Sequence, residues 1–315
     1  MEKLQTQLRE KAIELLDKGE VTAVIGWGSG WNPAKATPLF ARDKETADKF
    51  VFNPFCFNNL AVYLPRMNEK TAIMAKPCEA GSIVALLAEG KIARENIYVV
   101  GVACRGIVDP VKLEKAVGSI DDATAAYLDG DSVVVEIGGE AKRVPFAEVA
   151  MDKCMSCNQQ DTTFSDVMVG EPAQVPQGQP SLVVPEDADA AWWAAFWTKE
   201  FDRCIRCYAC RESCPACYCR DNCAVQSLRE RWQHVTWDSK EALMFHAQRA
   251  MHVAGRCIEC GACERACPMG IPLTLLHQQV GKAVKKLFDF NVGEKVDERP
   301  PLETFRKEEL EKSGH

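Results

Sequence analysis

The chain lacks any long apolar run. No stretch of its 315 residues approaches the roughly 18 consecutive apolar residues of a spanning helix, so no membrane span is expected. The N-terminus, MEKLQTQLREKAIELLDKG, is charged and amphipathic. It has no apolar signal core, which points to a cytoplasmic protein. Clustered lysine and arginine are also missing. The formal net charge is −7, and an acidic surface argues against nucleic acid as a partner. A dinucleotide-binding fingerprint is absent too. Gly26-Trp27-Gly28-Ser29-Gly30 follows an expected strand, but Asn32-Pro33 comes next where a helix should start, so the glycines read as a loop. No protein acid–base constellation stands out, and no catalytic residue is named.

Cysteine is in excess, with 16 in the chain. In a short secreted protein these would form a disulfide framework. Here the length, the missing export signal and the spacing indicate metal ligands in a reducing compartment. Two segments repeat one pattern. Cys204-Ile-Arg-Cys207-Tyr-Ala-Cys210-Arg-Glu-Ser-Cys214-Pro215 is followed by Cys257-Ile-Glu-Cys260-Gly-Ala-Cys263-Glu-Arg-Ala-Cys267-Pro268. Both match the C-x2-C-x2-C-x3-C-P run of two-cluster ferredoxins, in which the fourth cysteine serves the other cluster. Cys204, Cys207, Cys210 and Cys267 are thus expected to hold one [4Fe–4S] cluster. Cys257, Cys260, Cys263 and Cys214 are expected to hold a second. Structural zinc is the competing reading, but paired C-x2-C knuckles leave the third cysteine of each run unexplained. Gly261 removes a side chain where the backbone must pass close to sulfide.

The hydrophobic fraction of 47% is ordinary for a globular protein. Leu4, Leu8, Ala12, Leu15 and Leu16 recur at helical spacing, and Gly19 follows as a stop. Residues 21–25, 71–75 and 97–103 read as strands, with a helix over 79–89. That order predicts an α/β domain with at least one parallel pair. Residues 132–144 read as a hairpin turning at Gly138-Gly139. Four prolines within 171–185 favour an extended tether. The expected organisation is an α/β domain over 1–170, a proline-rich linker over 171–186, a mainly α-helical dicluster ferredoxin domain over 187–289 and a charged tail over 290–315. Residues 187–202 read as a helix carrying Trp192, Trp193, Phe196, Trp197 and Phe201. Its aromatic face suits core or interdomain packing, or a docking face for a partner.

The insert between Cys214 and Cys257 is longer than a compact βαββαβ ferredoxin needs, and it is rich in helix formers. It resembles the α-helical ferredoxin domains found in the iron–sulfur subunits of succinate dehydrogenase and heterodisulfide reductase. The resemblance implies helices around the clusters. His234, His246 and His252 lie in the insert and read as ordinary surface or core histidines, because each cubane already has four thiolates.

Five cysteines precede the linker: Cys56, Cys78, Cys104, Cys154 and Cys157. Cys78 opens a helix after a strand, Cys104 ends the next strand, and Cys154-Met-Ser-Cys157 is a C-x2-C. Two strand ends and a knuckle can converge at one sheet edge, making a third [4Fe–4S] site from Cys78, Cys104, Cys154 and Cys157. Buried free thiols are the alternative for Cys78 and Cys104. Cys217, Cys219 and Cys223 are surplus to the two cubanes. They read equally as reactive or packing thiols, as a fourth cluster with Cys56, or as partners of the Cys154–Cys157 knuckle.

Pro77-Cys78, Cys104-Arg105-Gly106-Ile107-Val108-Asp109-Pro110, Cys154 to Cys157, and Ser165-Asp166-Val167 to Gly170 together resemble the beta subunits of coenzyme F420-reducing hydrogenases and dehydrogenases over about residues 50–170. In that family the domain handles a flavin, its deazaflavin partner and an iron–sulfur cluster. Here Arg105 replaces the family's His, and the ferredoxin module lies C-terminal. The resemblance implies an electron-relay subunit of an anaerobic oxidoreductase complex (hydrogenase, formate dehydrogenase or heterodisulfide-reductase-like), with other flavin- or iron–sulfur-containing redox subunits as partners. The alternative it implies is a subunit that binds FAD, exchanges hydride with F420 or NAD(P)H, and passes electrons to its clusters.

Overall fold

The computed structural model describes residues 2–155, 157, 164–171, 178, 182–219, 223–226, 234 and 236–304. Most of the expected proline-rich tether, including Pro172, Pro176 and Pro180, lies outside the described residues, as do residues 305–315 of the expected tail.

Helix α1 (Glu2–Asp17) buries Leu8, Ala12 and Leu15. It closes as its sequence predicts. Gly19 takes φ +64°, its N–H donates to Leu16 O at 3.1 Å, and Glu20 N–H donates to Leu15 O at 3.1 Å. This pair of bonds is a Schellman cap. Strands β1 (Ala23–Asn32), β2 (Lys35–Ala41), β3 (Thr71–Ala75), β4 (Ile97–Val102) and β8 (Val167–Val169) form one sheet in the order β2-β1-β3-β4-β8. The β1–β3, β3–β4 and β4–β8 pairs are parallel, and β2 is an antiparallel edge. Between β3 and β4 runs α2 (Pro77–Ala88), with Pro77 in its first turn, where its missing N–H costs nothing. Leu8, Leu15, Ile25, Trp27, Phe50, Ile73, Ile83 and Val99 share one core, so helix α1 and helix α2 are packed with the sheet.

The glycine-rich segment is strand, and the loop expectation is corrected. Residues 26–30 lie inside β1; Gly26, Trp27 and Gly28 pair with Leu39, Pro38 and Thr37 of β2, and the register shifts between Gly28 and Asn32. The glycines are there for closeness: a Cβ on Gly26 would meet the Phe50 ring at 2.6 Å and Met74 Sδ at 2.8 Å, and one on Gly30 would meet Lys35 O at 1.7 Å.

A second core lies under a three-stranded antiparallel sheet, β5 (Ala123–Asp129), β6 (Ser132–Ile137) and β7 (Glu140–Pro145). Gly138 and Gly139 turn the β6–β7 hairpin as expected, with φ +60° and +85°. Strand β5 was not expected. Helix α3 (Pro110–Val117) closes this core with Leu113 and Val117, and Asp109 caps it by accepting from Val111 N and Lys112 N.

Beyond residue 189 the described chain is helical, which fulfils the expected class: α/β first, then helices around the cysteine motifs. The long helices are α4 (Ala190–Asp202), α5 (Ser239–His252) and α6 (Leu273–Phe288). Asp189 caps α4 by accepting from Trp192 N, and Asp238 caps α5 by accepting from Lys240 N and Glu241 N. No described helix is long and apolar enough to cross a membrane. The helical part is docked on the α/β part. Gly293 approaches Gly81 so closely that a Cβ on it would lie 2.8 Å from Gly81 Cα. Tyr218 OH donates to Glu89, whose carboxylate also pairs with Arg256 at 3.3 Å.

Gly26→Val is expected to destabilise the protein by about 1–3 kcal/mol through overpacking, read as a fall of several degrees in thermal midpoint by circular dichroism. An unchanged midpoint would mean that β1 does not pack against Phe50 and Met74 in this way.

Candidate functional site

The two cysteine repeats fold alike. In each, the residue before the second cysteine and the residue after it are left-handed: Arg206 (φ 54°) and Tyr208 (φ 59°) in the first, Glu259 (φ 56°) and Gly261 (φ 68°) in the second. Three of these four residues carry side chains, for which this region is strained. Alternation of this kind turns successive N–H groups inward to make an anion-binding nest. Glu259 N–H lies 3.4 Å from Cys257 Sγ, and backbone N–H groups of Arg206 and Ala262 likewise favour the thiolates of Cys204 and Cys260. A one-turn helix follows in each repeat, Ala209–Glu212 and Ala262–Arg265, and Ser213 Oγ joins the two by donating to Ala262 O at 3.2 Å.

The structure brings the cysteines together across the repeats. Cys214, from the first, lines one small internal cavity with Cys257, Cys260 and Cys263 from the second, alongside Arg249, Thr274 and His277. Cys267, from the second repeat, acts electrostatically on Cys204 and Cys210, and Cys207 acts on both as well. Among the described residues, no three Cys, His, Asp or Glu groups are tight enough to hold a single metal ion. A cubane asks for a different arrangement, four thiolates each on its own iron.

A third group gathers at the C-terminal ends of the parallel strands. Cys78 sits in the first turn of α2 after β3, Cys104 lies just past β4, and Cys154 is in the one-turn helix Asp152–Met155. Cys78 and Cys154 both act on Cys104, and Cys154 acts on Cys78. Cys157 N–H donates to Cys154 O at 3.3 Å, which turns the knuckle back on itself. Asp166 anchors the adjoining strand. Its Oδ2 accepts from Val99 N at 2.7 Å and its Oδ1 pairs with Arg94 at 2.5 Å, so the Ser165-to-Gly170 motif is what adds β8 to the sheet.

Two buried cations separate the three groups. Lys153 Nζ lies 3.7 Å from Cys78 Sγ and donates to Cys260 O, so it stands between the strand-end group and the Cys257 group. Arg249, 2% exposed, donates to Cys210 O at 3.0 Å and reaches His277 Nε2 at 2.8 Å, between the Cys257 and Cys204 groups. Burial opposes both charges, and the surrounding cysteines would hold them on as thiolates: Cys78, Cys154 and Cys260 around Lys153, and Cys263, Cys214, Cys217 and Cys210 around Arg249. Burial in turn raises the thiols, Cys78 to about 11, Cys210 to about 11, and Cys104 and Cys263 to about 12. Unmetallated, these groups keep their protons, and a metal would have to displace them. Sequence reasoning missed both cations. Arg249 was legible as a charge on the buried stripe of α5, beside Ala242, Phe245 and Ala250.

The surplus cysteines do not form one set. Cys56 is enclosed in the α/β core, 3.7 Å from Val51 O and 3.6 Å from Asn53 Oδ1, with burial pushing it up to about 12. Cys217 is hydrogen-bonded to Cys214, and Cys219 to Cys223. Of the three insert histidines, His234 and His252 are exposed, while His246 is buried in the core with its Nε2 3.4 Å from Cys204 Sγ.

Residues 203–272 match the 4Fe-4S dicluster domain family, and residues 68–199 match the family described as the C terminus of the coenzyme F420 hydrogenase/dehydrogenase beta subunit. The chain thus joins a region of the second family to a dicluster domain that supports at least two [4Fe–4S] clusters. It is 26% identical over 352 residues to the F420-dependent formate dehydrogenase subunit beta of Methanocaldococcus jannaschii, covering 91% of each chain. It is 25% identical to F420-dependent formate dehydrogenase 1 subunit beta of Methanococcus maripaludis, covering 91% of this chain and 90% of the relative. A chain of the F420-reducing [NiFe] hydrogenase complex from Methanosarcina barkeri aligns over 52% of this chain and 65% of its own length, at 16% identity and a TM-score of 0.39. At that score the likeness carries no weight.

Lys153→Met is expected to lower iron content after anaerobic gel filtration, because a charged hydrogen bond worth ~1.5–3 kcal/mol is lost between two thiol groups. Lys49→Met, at an exposed site, should leave iron unchanged. Equal iron in both variants would remove Lys153 from the site.

Proposed function

We propose that this chain is the iron–sulfur beta subunit of a formate dehydrogenase- or hydrogenase-type complex, relaying single electrons through three [4Fe–4S] sites. In this reading Cys204, Cys207, Cys210 and Cys267 hold one cluster. Cys214, Cys257, Cys260 and Cys263 hold the second. Cys78, Cys104, Cys154 and Cys157 hold the third. Each cluster, when bound, supplies a site that takes up and releases one electron. The observation that carries the proposal is the alternation of three cysteine groups with two buried cations, because it orders the sites in a row. The row ends near the surface: Cys207 and Ile205 are exposed, whereas Cys263 is buried. Electrons would enter or leave there, toward a redox partner. The formate dehydrogenase subunits it resembles suggest the deazaflavin F420 and formate as the couples joined by the complex.

One further observation favours a flavin on the same chain. A cleft of about 1220 Å³ opens between Cys78 and Cys257. Lys282, Lys285 and Lys286 line it, together with Glu259 and Glu294. The lysines suit the phosphates of FAD, and the position suits exchange with both adjoining cysteine groups. The residues present therefore fit the group.

Anaerobically purified protein should carry about twelve iron atoms per chain, three cubanes of four, and Cys78→Ser should reduce this to about eight. Flavin released on denaturation would establish the flavin-bearing form, and its absence would leave a pure relay. Iron near eight in the unaltered protein would remove the strand-end cluster.

A further inference from the structure

His246 is the one histidine of the insert that meets a motif cysteine in the described contacts. Its Nε2 lies 3.4 Å from Cys204 Sγ. The imidazole is 2% exposed. It stacks on Phe201 with centroids 4.3 Å apart and planes at 11°, and it meets Phe245 edge-on at 4.9 Å and 78°. Those two rings fix its plane, so the Nε2 edge stays aimed at the sulfur. Cys204 is held from its other side by Trp237, whose indole N–H donates to Cys204 O at 2.6 Å.

The proton can be assigned from these contacts. His246 Nδ1 is buried and has no hydrogen-bond partner. A neutral imidazole carries one N–H and one acceptor nitrogen. A proton on Nδ1 would leave an unpaired buried donor and point the Nε2 lone pair at an anionic thiolate. A proton on Nε2 makes an N–H···S bond and leaves only an acceptor unpaired, the cheaper arrangement. The imidazole is a fixed donor, held in plane by its two ring contacts.

Resting on the reading that Cys204 is a ligand, we infer that His246 is a positioning residue that raises the reduction potential of the Cys204 cluster. A donor to a ligating sulfur stabilises the cluster more after it has gained negative charge, and hydrogen bonds to sulfur are among the levers that set cluster potential. The other groups have their own side-chain donors, Arg249 to Cys214, Asn59 to Cys260 and Lys153 at 3.7 Å from Cys78 Sγ, so the effect of His246 is confined to the Cys204 cluster. The ring stack continues outward from His246 through Phe201, Trp197 and Trp193, with neighbouring centroids at 4.3, 5.1 and 6.2 Å, along helix α4.

The test is an EPR-monitored redox titration of the full chain with its clusters, comparing wild type with His246→Phe and His246→Gln. Phe keeps the stack and loses the donor, whereas Gln can restore one. The expected result is that one [4Fe–4S] signal in His246→Phe becomes about tenfold harder to reduce, about 59 mV for one electron. The other signals stay in place, and His246→Gln recovers most of the shift. Unchanged potentials in His246→Phe with full iron content overturn the inference and leave the relay intact. A Cys204→Ser variant that keeps every cluster overturns the ligand reading, and the inference with it. If His246→Phe loses iron, pulsed EPR of wild-type protein labelled with 15N-histidine decides. A histidine nitrogen coupled to the cluster whose signal Cys204→Ser removes supports the inference, and no such coupling overturns it.

Discussion

Buried negative charge is the constraint from which the rest follows. Thiolates and the clusters they hold are costly in a low-dielectric interior unless opposite charge and N–H groups meet them. Lys153 and Arg249 each do this for two cysteine groups at once. A cation shared between neighbours lowers the cost of both and holds them at close quarters. The left-handed residues around Cys207 and Cys260 supply the complementary part, turning the backbone so that its own dipoles face the sulfur.

The α/β half serves this arrangement through its topology. Parallel strands β3 and β4 end at the same edge, and the chain leaving each edge carries Cys78 or Cys104. The second core brings the segment with Lys153 and Cys154 to that edge: Met151 N–H donates to Ile107 O at 3.0 Å, and Asp109 N–H to Val149 O at 2.7 Å. Lys153 therefore reaches the helical half from a strand-end scaffold. The small three-stranded sheet behind it holds that reach in place.

Much of this was legible in sequence because the constraints were local. Gly19 marks the end of α1, Pro77 the start of α2, and Gly138-Gly139 the hairpin, each through its own backbone geometry. The tandem spacing singled out the eight motif cysteines; the structure puts Cys214 beside Cys257, Cys260 and Cys263, and Cys267 near Cys204 and Cys210, and their role as cluster ligands is the reading proposed above. Nonlocal features were not legible. Residues 26–30 looked like a loop because closeness to Phe50 and Lys35 cannot be seen along one strand. Strand β5 is rich in alanine, and only its pairing with β6 makes it a strand. Lys153 and His246 are unremarkable letters until folding places them against Cys78 and Cys204.

The contact of Gly81 with Gly293 has a consequence for timing. Two bare backbones touch there, on the helix that carries Cys78 and on the segment that closes over the Cys257 repeat. No side chain lies between them to rotate or compress. Electron tunnelling slows exponentially with separation, so a joint that bent by an ångström or two would make the relay's rate wander. In the relay proposed above, a backbone hard stop removes that freedom and gives the hop between the two halves a fixed tempo.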